Sequence, residues 1–349
     1  MTTGASGQPG GRSAARMPTM RDIADHVGVS RQLVSLVLRG VPGPSPQSRE
    51  RVLAAAAELG YRPHSSARLL RQNRTHLIGV VFGMRNPFQV RFVERLFVRA
   101  AERGYGVVLG PVTIERPTDA VVAALMEERV EALAAFNPDP DSAALAAACE
   151  LLPVVWLGER AGRTDVDNVH VDEAGGLRLA VRHLVELGHR DIEYVGGLGG
   201  TVGADRAQAY REVMAEAGLS ARAKVIPSGF SEEDGAAAAR KILARKRRPT
   251  AVVCAGDQVA AGLLAVFSRA GLGVPDEISV VGFDDSYVAS LSYHRLTSVR
   301  QDVEATVEAA LTALLDRLDP PGDEAPSPGR VTQTPAELVV RKSTGMVRG

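Results

Sequence analysis

The chain has 349 residues, of which 45% are hydrophobic and 23% are charged, and its formal net charge is zero. These values exclude an intrinsically disordered protein, and the length favours at least two domains over a single core. No apolar run reaches the 18 or so residues that cross a bilayer, and residues 1–18 lack the apolar stretch of a signal peptide. A soluble, cytoplasmic protein with no membrane partner is therefore expected.

The zero net charge hides an asymmetry along the chain. Residues 1–75 contain eleven arginines, no lysine and four acidic residues, whereas the rest of the chain contains 30 basic and 37 acidic residues. A basic head on an acidic body is typical of a DNA-binding domain joined to a domain that does not bind DNA. The two cysteines, Cys149 and Cys254, lie in predicted core segments and are expected to be reduced.

Residues 19–64 predict three short helices. Thr19 and Asp22 form a capping-box pattern that opens the first helix, and Gly28 ends it at a turn that needs positive φ. Ser30 can cap a second helix that starts at Arg31, and two helices joined in this way predict a helix-turn-helix. A third helix is expected after a cap at Ser45. Helical spacing predicts the inward side chains of the three helices: Met20, Ile23, Ala24, Val27, Leu33, Val34, Val37, Val52, Leu53, Ala56 and Leu59.

The run MRDIADHVGVSRQLVSLVLRG, followed by SPQSRERVLAAAAELGYRP, resembles the headpiece of the lactose-repressor (LacI/GalR) family of bacterial regulators. In that family the second helix lies in the major groove and its first residues read base edges. Arg31 suits guanine and Gln32 suits adenine, whereas Leu33 and Leu36 depart from the usual Thr and frequent Arg, so an unusual operator is expected. The resemblance implies DNA contacts from Thr19, Ser30, Arg31, Gln32, Ser35, Leu36 and Arg39.

The segment YRPHSSARLL, residues 61–70, resembles the linker of the same family, with His64 in place of the usual Asn. The resemblance implies a hinge helix that folds when two subunits pack on the operator's minor groove, with Leu70 wedged between central base pairs. It adds His64, Ala67, Arg68 and Leu70 to the expected DNA contacts. Packing of Leu70 against the body is the alternative interpretation.

From residue 76 onward, apolar strands alternate with amphipathic helices, which predicts parallel sheets in two halves. In such sheets, ligands bind beyond the carboxyl ends of the strands, where charged side chains suit a hydroxyl-rich molecule. The predicted strands are Leu77–Phe82, Tyr105–Leu109, Ala132–Phe136, Val154–Leu157, Ile192–Val195, Ala251–Cys254, Ser279–Gly282 and Glu337–Arg341. The charged residues expected just after strands are Arg85, Arg160, Asp172, Arg206, Asp257 and Asp284.

The resemblance to the family extends through this body, in motifs such as HLVELGHRDI and VPDEISVVGFDDS. The corresponding family core binds effectors and is similar to periplasmic sugar-binding proteins. It implies that Arg160, Arg206 and Asp284 contact an effector and that Phe88 forms a stacking wall. Gly256 stands where the family usually has Asn. Arg85 would add a third guanidinium, which extends the expected effectors from sugars to sugar acids and sugar phosphates.

The predicted fold class is α/β: a three-helix helix-turn-helix domain and hinge helix, then a two-subdomain, periplasmic-binding-protein-like (type I) core with parallel sheets. The expected boundaries are a disordered tail at 1–18, the DNA-binding domain at 19–64, the hinge at 65–75 and the effector and dimerisation domain at 76–349. Within that domain, residues 76–170 plus 300–329 and residues 171–299 plus 330–345 are expected to form the two subdomains.

The predicted function is a transcriptional repressor that binds a palindromic operator as a homodimer and responds to a small-molecule effector. An activator, or a regulator without a diffusible effector, is the alternative. An enzyme is not expected, because Val202 replaces the third glycine of a dinucleotide-binding loop and neither a catalytic nucleophile motif nor a metal-spaced cluster is visible. No cofactor is expected. The lack of a heptad repeat after the last predicted strand favours a dimer over a tetramer.

Overall fold

The computed structural model describes residues 18–38, 40–61, 74–319 and 328–348. The chain divides into two compact units, residues 1–75 and 76–349, called here the head and the body. The expected tail at 1–18 lies almost wholly outside the described residues, as does most of the expected hinge.

The head contains the three predicted helices: α1 (Met20–Val27), α2 (Arg31–Leu38) and α3 (Pro46–Glu58). The capping box at Thr19 and Asp22 is present, and Gly28 has the left-handed conformation, with φ of 73°, that the turn requires. Ser45 accepts a hydrogen bond from the backbone N–H of Ser48 and caps α3. The helix-turn-helix prediction is confirmed.

Small aliphatic side chains fill the core of the head. Ile23, Val34 and Val52 are fully buried, one from each helix. The prediction of a core position is wrong for two residues: Leu33 is only half-buried, and Leu53 is 49% exposed. The buried stripe of α2 runs through Val34, Val37 and Leu38, and that of α3 through Val52, Ala55 and Ala56. Each mispredicted leucine lies about a quarter turn away from the centre of its stripe.

The body contains two six-stranded sheets flanked by helices. Its strands are β1 (Leu77–Gly83), β2 (Gly106–Val112), β3 (Ala132–Phe136), β4 (Val154–Leu157), β5 (Asp167–Val171), β6 (Ile192–Gly197), β7 (Lys224–Ser228), β8 (Ala251–Cys254), β9 (Ser279–Asp284), β10 (Thr297–Gln301), β11 (Val331–Thr334) and β12 (Ala336–Val339). Its α-helices are α4 (Pro87–Glu102), α5 (Thr118–Glu127), α6 (Ala143–Leu151), α7 (Glu173–Glu186), α8 (Gly200–Glu216), α9 (Glu232–Leu243), α10 (Asp257–Arg269), α11 (Tyr287–Ser290) and α12 (Val303–Leu318).

The first sheet has the strand order β11-β5-β4-β3-β1-β2 and the second has the order β12-β10-β9-β8-β6-β7. The pairs are parallel except for β10 with β12. Central strands such as β3 and β8 are buried along their whole length because helices cover both faces. The predicted two-sheet α/β core is confirmed.

The structure corrects the expected subdomain boundaries. A break between residues 299 and 300 would divide β10, which pairs with β9 in the second sheet up to Arg300. Residues 331–334, assigned to the second subdomain, form β11 and pair with β5 of the first sheet. After β10 the chain thus returns to the first subdomain at α12. It passes back to the second sheet only between Thr334 and Ala336. The sequence analysis expected this exchange but set both of its limits a few residues early, because β10 and β11 are short and partly polar.

Candidate DNA-recognition and effector sites

The first turn of α2 presents two of the predicted base readers to solvent. Arg31 and Gln32 are both exposed, and the backbone N–H of Leu33 donates to the Ser30 hydroxyl at 3.2 Å, which caps the helix. Such a helix end can place side chains in a major groove without losing its own hydrogen bonds. Ser35 and Leu36 are half-buried on the following turn.

Other predicted DNA contacts are already engaged or lie outside the described residues. The Thr19 hydroxyl donates to Asp22 Oδ2 at 2.7 Å, so it holds the cap of α1. Arg39, His64, Ala67, Arg68 and Leu70 are outside the described residues, and their roles remain predictions.

Two arginines of the head serve its packing, which the sequence did not signal. Arg51 Nη2 donates to the carbonyl of Val27 at 2.7 Å, at the turn between α1 and α2. Arg49 Nη2 donates to the carbonyl of Val41 at 3.0 Å, just beyond α2. Both bonds tie α3 to the ends of the helix-turn-helix. The positive charge of the head therefore includes groups that orient the recognition helix.

In the body, Arg206 is the central charged group at the carboxyl edge of the second sheet. Its side chain is 5% exposed, and its Nε donates to Glu173 Oε2 at 2.5 Å. Its Nη1 donates to the carbonyl of Ala255 at 2.5 Å and lies 3.9 Å from Asp284 Oδ1. The guanidinium carbon also lies 3.9 Å from the centroid of the Phe283 ring. The topology thus brings two predicted site residues, Arg206 and Asp284, together.

Asp284 and Asp257 form a buried carboxylate pair with different roles. Asp284 has φ of 104°, which is unusual for a residue with a side chain, and accepts from Gln301 Nε2 at 2.6 Å. Asp257 accepts from the N–H and hydroxyl of Ser286 and from the hydroxyl of Ser298. These bonds brace the loop after β9, and the predicted role of Asp257 as an effector ligand stays a prediction.

Burial raises the pKa values of both carboxyls of this pair. It raises the pKa of Asp257 to about 8, with a further upward contribution from the neighbouring charge of Asp284. Burial also raises the pKa of Asp284, to about 6, against the opposing effect of Arg206. Both carboxyls therefore titrate far above the usual range for aspartate.

A cavity of about 160 Å³ opens where the chain passes from the first sheet to α7. Its lining includes Arg160, which follows β4, and Asp172, which caps α7 by accepting from the N–H of Gly175 at 2.9 Å. Arg160 is 77% exposed and forms an ion pair of 3.3 Å with Asp205 on α8. The cavity wall thus joins residues that follow the first sheet to a helix that packs on the second.

Two predicted effector residues lie apart from this cluster. Arg85 is exposed on the turn after β1. Phe88 is 6% exposed and packs into the core of the first subdomain, with its ring edge-to-face with Phe136 at a centroid distance of 6.1 Å. Its predicted role as an open stacking wall is not supported, because α4 carries the ring inward.

A different phenylalanine, Phe230, faces the Arg206 cluster. Its ring centroid is 6.0 Å from the Arg206 guanidinium carbon, and a Cβ added at Gly256 would lie 3.8 Å from the same ring and 3.4 Å from Asp284 Oδ2. The glycine at 256 therefore leaves space beside Asp284 and Phe230. Phe230 follows β7, a strand absent from the sequence prediction, so its position could not be inferred from that pattern.

Within the described residues, no helix is both long and apolar enough to cross a membrane.

Comparison with known proteins supports this division into head and body. Residues 19–64 match bacterial regulatory proteins of the lacI family, and residues 181–344 match a periplasmic binding protein-like domain. The HTH-type transcriptional repressor PurR of Erwinia tasmaniensis is 34% identical over 320 residues, which cover 88% of this chain and 93% of that protein.

Two solved structures share the fold over nearly the whole chain. The lac repressor dimer bound to operator and the anti-inducer ONPF has a TM-score of 0.79 at 29% identity, covering 95% of this chain and all of the other. A complex of the transcriptional regulator CelR with cellobiose has a TM-score of 0.68 at 30% identity, covering 93% of this chain and 99% of the other.

A helix-turn-helix head joined to a periplasmic-binding-protein-like body defines a DNA-binding regulator of transcription. The arrangement is one of recognition and regulation, not of catalysis. The chain belongs to the lacI family of bacterial regulatory proteins.

Proposed function

We propose that this chain represses transcription by binding a palindromic operator as a homodimer, and that a sugar or sugar derivative bound in the body changes its operator affinity. The observation that carries the effector half is the buried Arg206. Its guanidinium lies at the carboxyl edge of the second sheet, with Asp284 and Phe230 beside a space left by Gly256. Guanidinium and carboxylate groups can each bond two neighbouring hydroxyls of a sugar.

The DNA half rests on the exposed first turn of α2. Arg31 would donate to guanine and Gln32 would pair with adenine in the major groove, with Ser30 and Ser35 nearby on the same helix or its cap. Arg39 is kept as a further DNA contact on the strength of the sequence alone. The related lac repressor structure contains operator DNA. The hinge residues His64, Ala67, Arg68 and Leu70 extend this proposal to the minor groove. A cytoplasmic location agrees with such a role.

A second copy of the chain would cover apolar side chains that are exposed on the body. Phe97 on α4, Leu109 on β2 and Ile114 beyond it are 42%, 45% and 100% exposed. In the second subdomain, Tyr287 and Tyr293 are 64% and 75% exposed. These side chains are the surface that the proposal assigns to the dimer interface. The similar lac repressor structure is a dimer, which supports a homodimer here.

The cavity wall offers a route from effector to operator. Arg160 and Asp205 connect the residues after β4 to α8, so a ligand that alters this contact would change the angle between the two sheets. The effector can shift operator affinity only by its differential affinity for the two arrangements. The expected coupling is about 1–3 kcal/mol, or roughly 5–150-fold in operator affinity.

The test uses the full chain and a duplex selected from a random library by the purified protein. Operator affinity is measured with and without each sugar that raises the unfolding temperature in a thermal-shift screen. A sugar at about 100 times its Kd should stabilise the body by roughly 2.7 kcal/mol. We expect Arg206→Lys, which loses the two-pronged donor geometry, to lose the sugar response, whereas Arg211→Lys on the exposed part of the same helix should keep it.

A normal sugar response in Arg206→Lys would place the effector site elsewhere. If the selected duplex binds tightly but no sugar changes the unfolding temperature or the affinity, the effector half of the proposal fails and a regulator without a diffusible effector takes its place. An increase in transcription on operator binding would instead identify an activator.

A further inference from the structure

The electrostatic character of the effector site opposes an acidic effector. Arg206 is the buried cation of the site, and it is already matched by Glu173 and lies close to Asp284. A guanidinium held by its own carboxylates has little attraction left for an anion. An incoming carboxylate or phosphate would also enter a region that already holds these two negative groups.

The adjoining cavity repeats this excess of negative charge. Its lining contains five carboxylates and one arginine: Glu159, Asp172, Glu173, Asp205, Glu212 and Arg160. Glu173 pairs with Arg206 and Asp205 pairs with Arg160. In the described part of the chain, Glu159, Asp172 and Glu212 form no salt bridge. The wall therefore presents acceptors and negative charge that the protein's own cations do not balance.

A buried hydroxyl near the same charges lacks a partner. Tyr194 is fully buried, and its hydroxyl has no hydrogen-bond partner among the described residues. Burial raises the pKa of Tyr194, and Arg206, Glu173 and Asp284 are the charged groups near enough to affect it. A buried hydroxyl without a partner is unfavourable, so a polar partner is expected beside it.

We infer that the effector is a positively charged sugar, with a protonated amine beside its hydroxyls, and not a sugar acid or sugar phosphate. The inference rests on the proposed function, because it assigns a charge to the effector of that site. Ammonium groups bind carboxylates by charge-assisted hydrogen bonds, and sugar hydroxyls can use the remaining carboxylate oxygens. Of the carboxylates, Glu159 follows β4, and a Cβ added at Gly200, at the start of α8, would lie 2.8 Å from Glu159 Oε1.

The experiment compares sugars that share a ring and differ in charge. The full chain is titrated with glucose, galactose and mannose, with the 2-amino form of each, with the N-acetylated amine, with the corresponding uronic acids and with the 6-phosphates. We expect at least one amine to bind about tenfold more tightly than its neutral parent, which corresponds to about 1.4 kcal/mol. N-acetylation should remove this gain because it removes the charge.

The variant Glu159→Gln should reduce the ratio of amine affinity to neutral-sugar affinity by about fivefold. Glu127→Gln, at the exposed end of α5, should leave the ratio unchanged. Tighter binding of a uronic acid or a phosphate, or equal binding of amine and neutral sugar, would overturn the inference and leave the effector function intact. Absence of binding by every sugar, with operator binding retained, would overturn the effector function and the inference with it.

Discussion

The head and the body place their functional residues by different means. In the head, Arg31 and Gln32 are neighbours in sequence, and a local cap at Ser30 is enough to present them. In the body, Arg206, Glu173 and Asp284 come from α8, α7 and the end of β9, which are far apart along the chain. Recognition in the head therefore depends on one helix, whereas the effector site depends on the whole topology of a sheet.

The energetics of the two regions differ in the same way. Among the described residues of the head, nine buried apolar residues form one small core, in which each side chain is a large part of the total. The body has four larger or comparable clusters, two for each sheet, and can also bury charged groups among them. Single core substitutions should therefore disable the head before they disable the body.

The largest expected effect is that of Ile23→Ala in the head. Ile23 is fully buried, and an isoleucine-to-alanine change in a core costs about 2–5 kcal/mol. We expect hydrogen exchange to become fast throughout 20–58 while exchange in the body is unchanged. Leu53→Ala is the control, because its side chain is 49% exposed and should change stability by no more than about 0.5 kcal/mol. Loss of protection in the body as well would show that the two units unfold together.

The next largest effect is expected for Arg31→Ala, which tests whether recognition is local. Removing one bidentate base contact should cost about 1–3 kcal/mol of discrimination at a single base pair. The measurement is the affinity for duplexes that vary one position of the selected operator at a time. Arg51→Ala should have a different effect from Arg31→Ala, because the Arg51 guanidinium donates to the carbonyl of Val27 within the head. The variant should therefore weaken binding to all duplexes alike. Equal loss on all sequences in Arg31→Ala would make Arg31 a phosphate contact.

The sequence predicted the head more completely than the effector site, for physical reasons. Capping, positive φ at Gly28 and helical spacing are local signals, and they predict the three helices. The errors in the predicted core lie at leucines beside the buried stripes, such as Leu53. In the body, strand order and burial decide which charges meet. Asp257 and Phe88 follow strands as predicted, but Asp257 accepts a hydrogen bond from Ser286 and Phe88 packs into the core. Phe230, which faces Arg206, was not predicted because the strand before it was not predicted.

Two glycines with the same backbone conformation allow a direct comparison of the two regions. Gly28 in the head has φ of 73° and Gly271 in the body has φ of 72°, and a Cβ added at either would meet no atom within 4 Å. Gly28→Ala and Gly271→Ala should each cost about 1–2 kcal/mol through the left-handed conformation alone. Only Gly28→Ala should also weaken operator binding, because its turn sets the angle of α2. Equal operator affinity in both variants would mean that the turn adapts without moving that helix.

The last prediction concerns pH, and it applies to the body. Because the folded pKa of Asp257 is about 8 and that of Asp284 about 6, these two carboxyls bind more protons in the folded body than in the unfolded chain above pH 4. Their contribution to stability is present below the unfolded value near 4 and is lost as pH rises to about 8. The slope for one proton is at most about 1.4 kcal/mol per pH unit.

Fluorescence of Trp156, which is 3% exposed in the body, provides the measurement of unfolding across this range. Asp257→Asn should flatten the fall in stability between pH 6 and 8, because the amide can still accept from Ser286 and donate to Ser298 without titrating. Between pH 4 and 6 the fall in stability should become about half as steep, since Asp284 still titrates there and Asp257 no longer does. Asp141→Asn, at an exposed position, should leave the whole profile as it is. An unaltered slope above pH 6 in Asp257→Asn would mean that Asp257 is already ionised there, and its hydrogen bonds would then have to hold a buried negative charge.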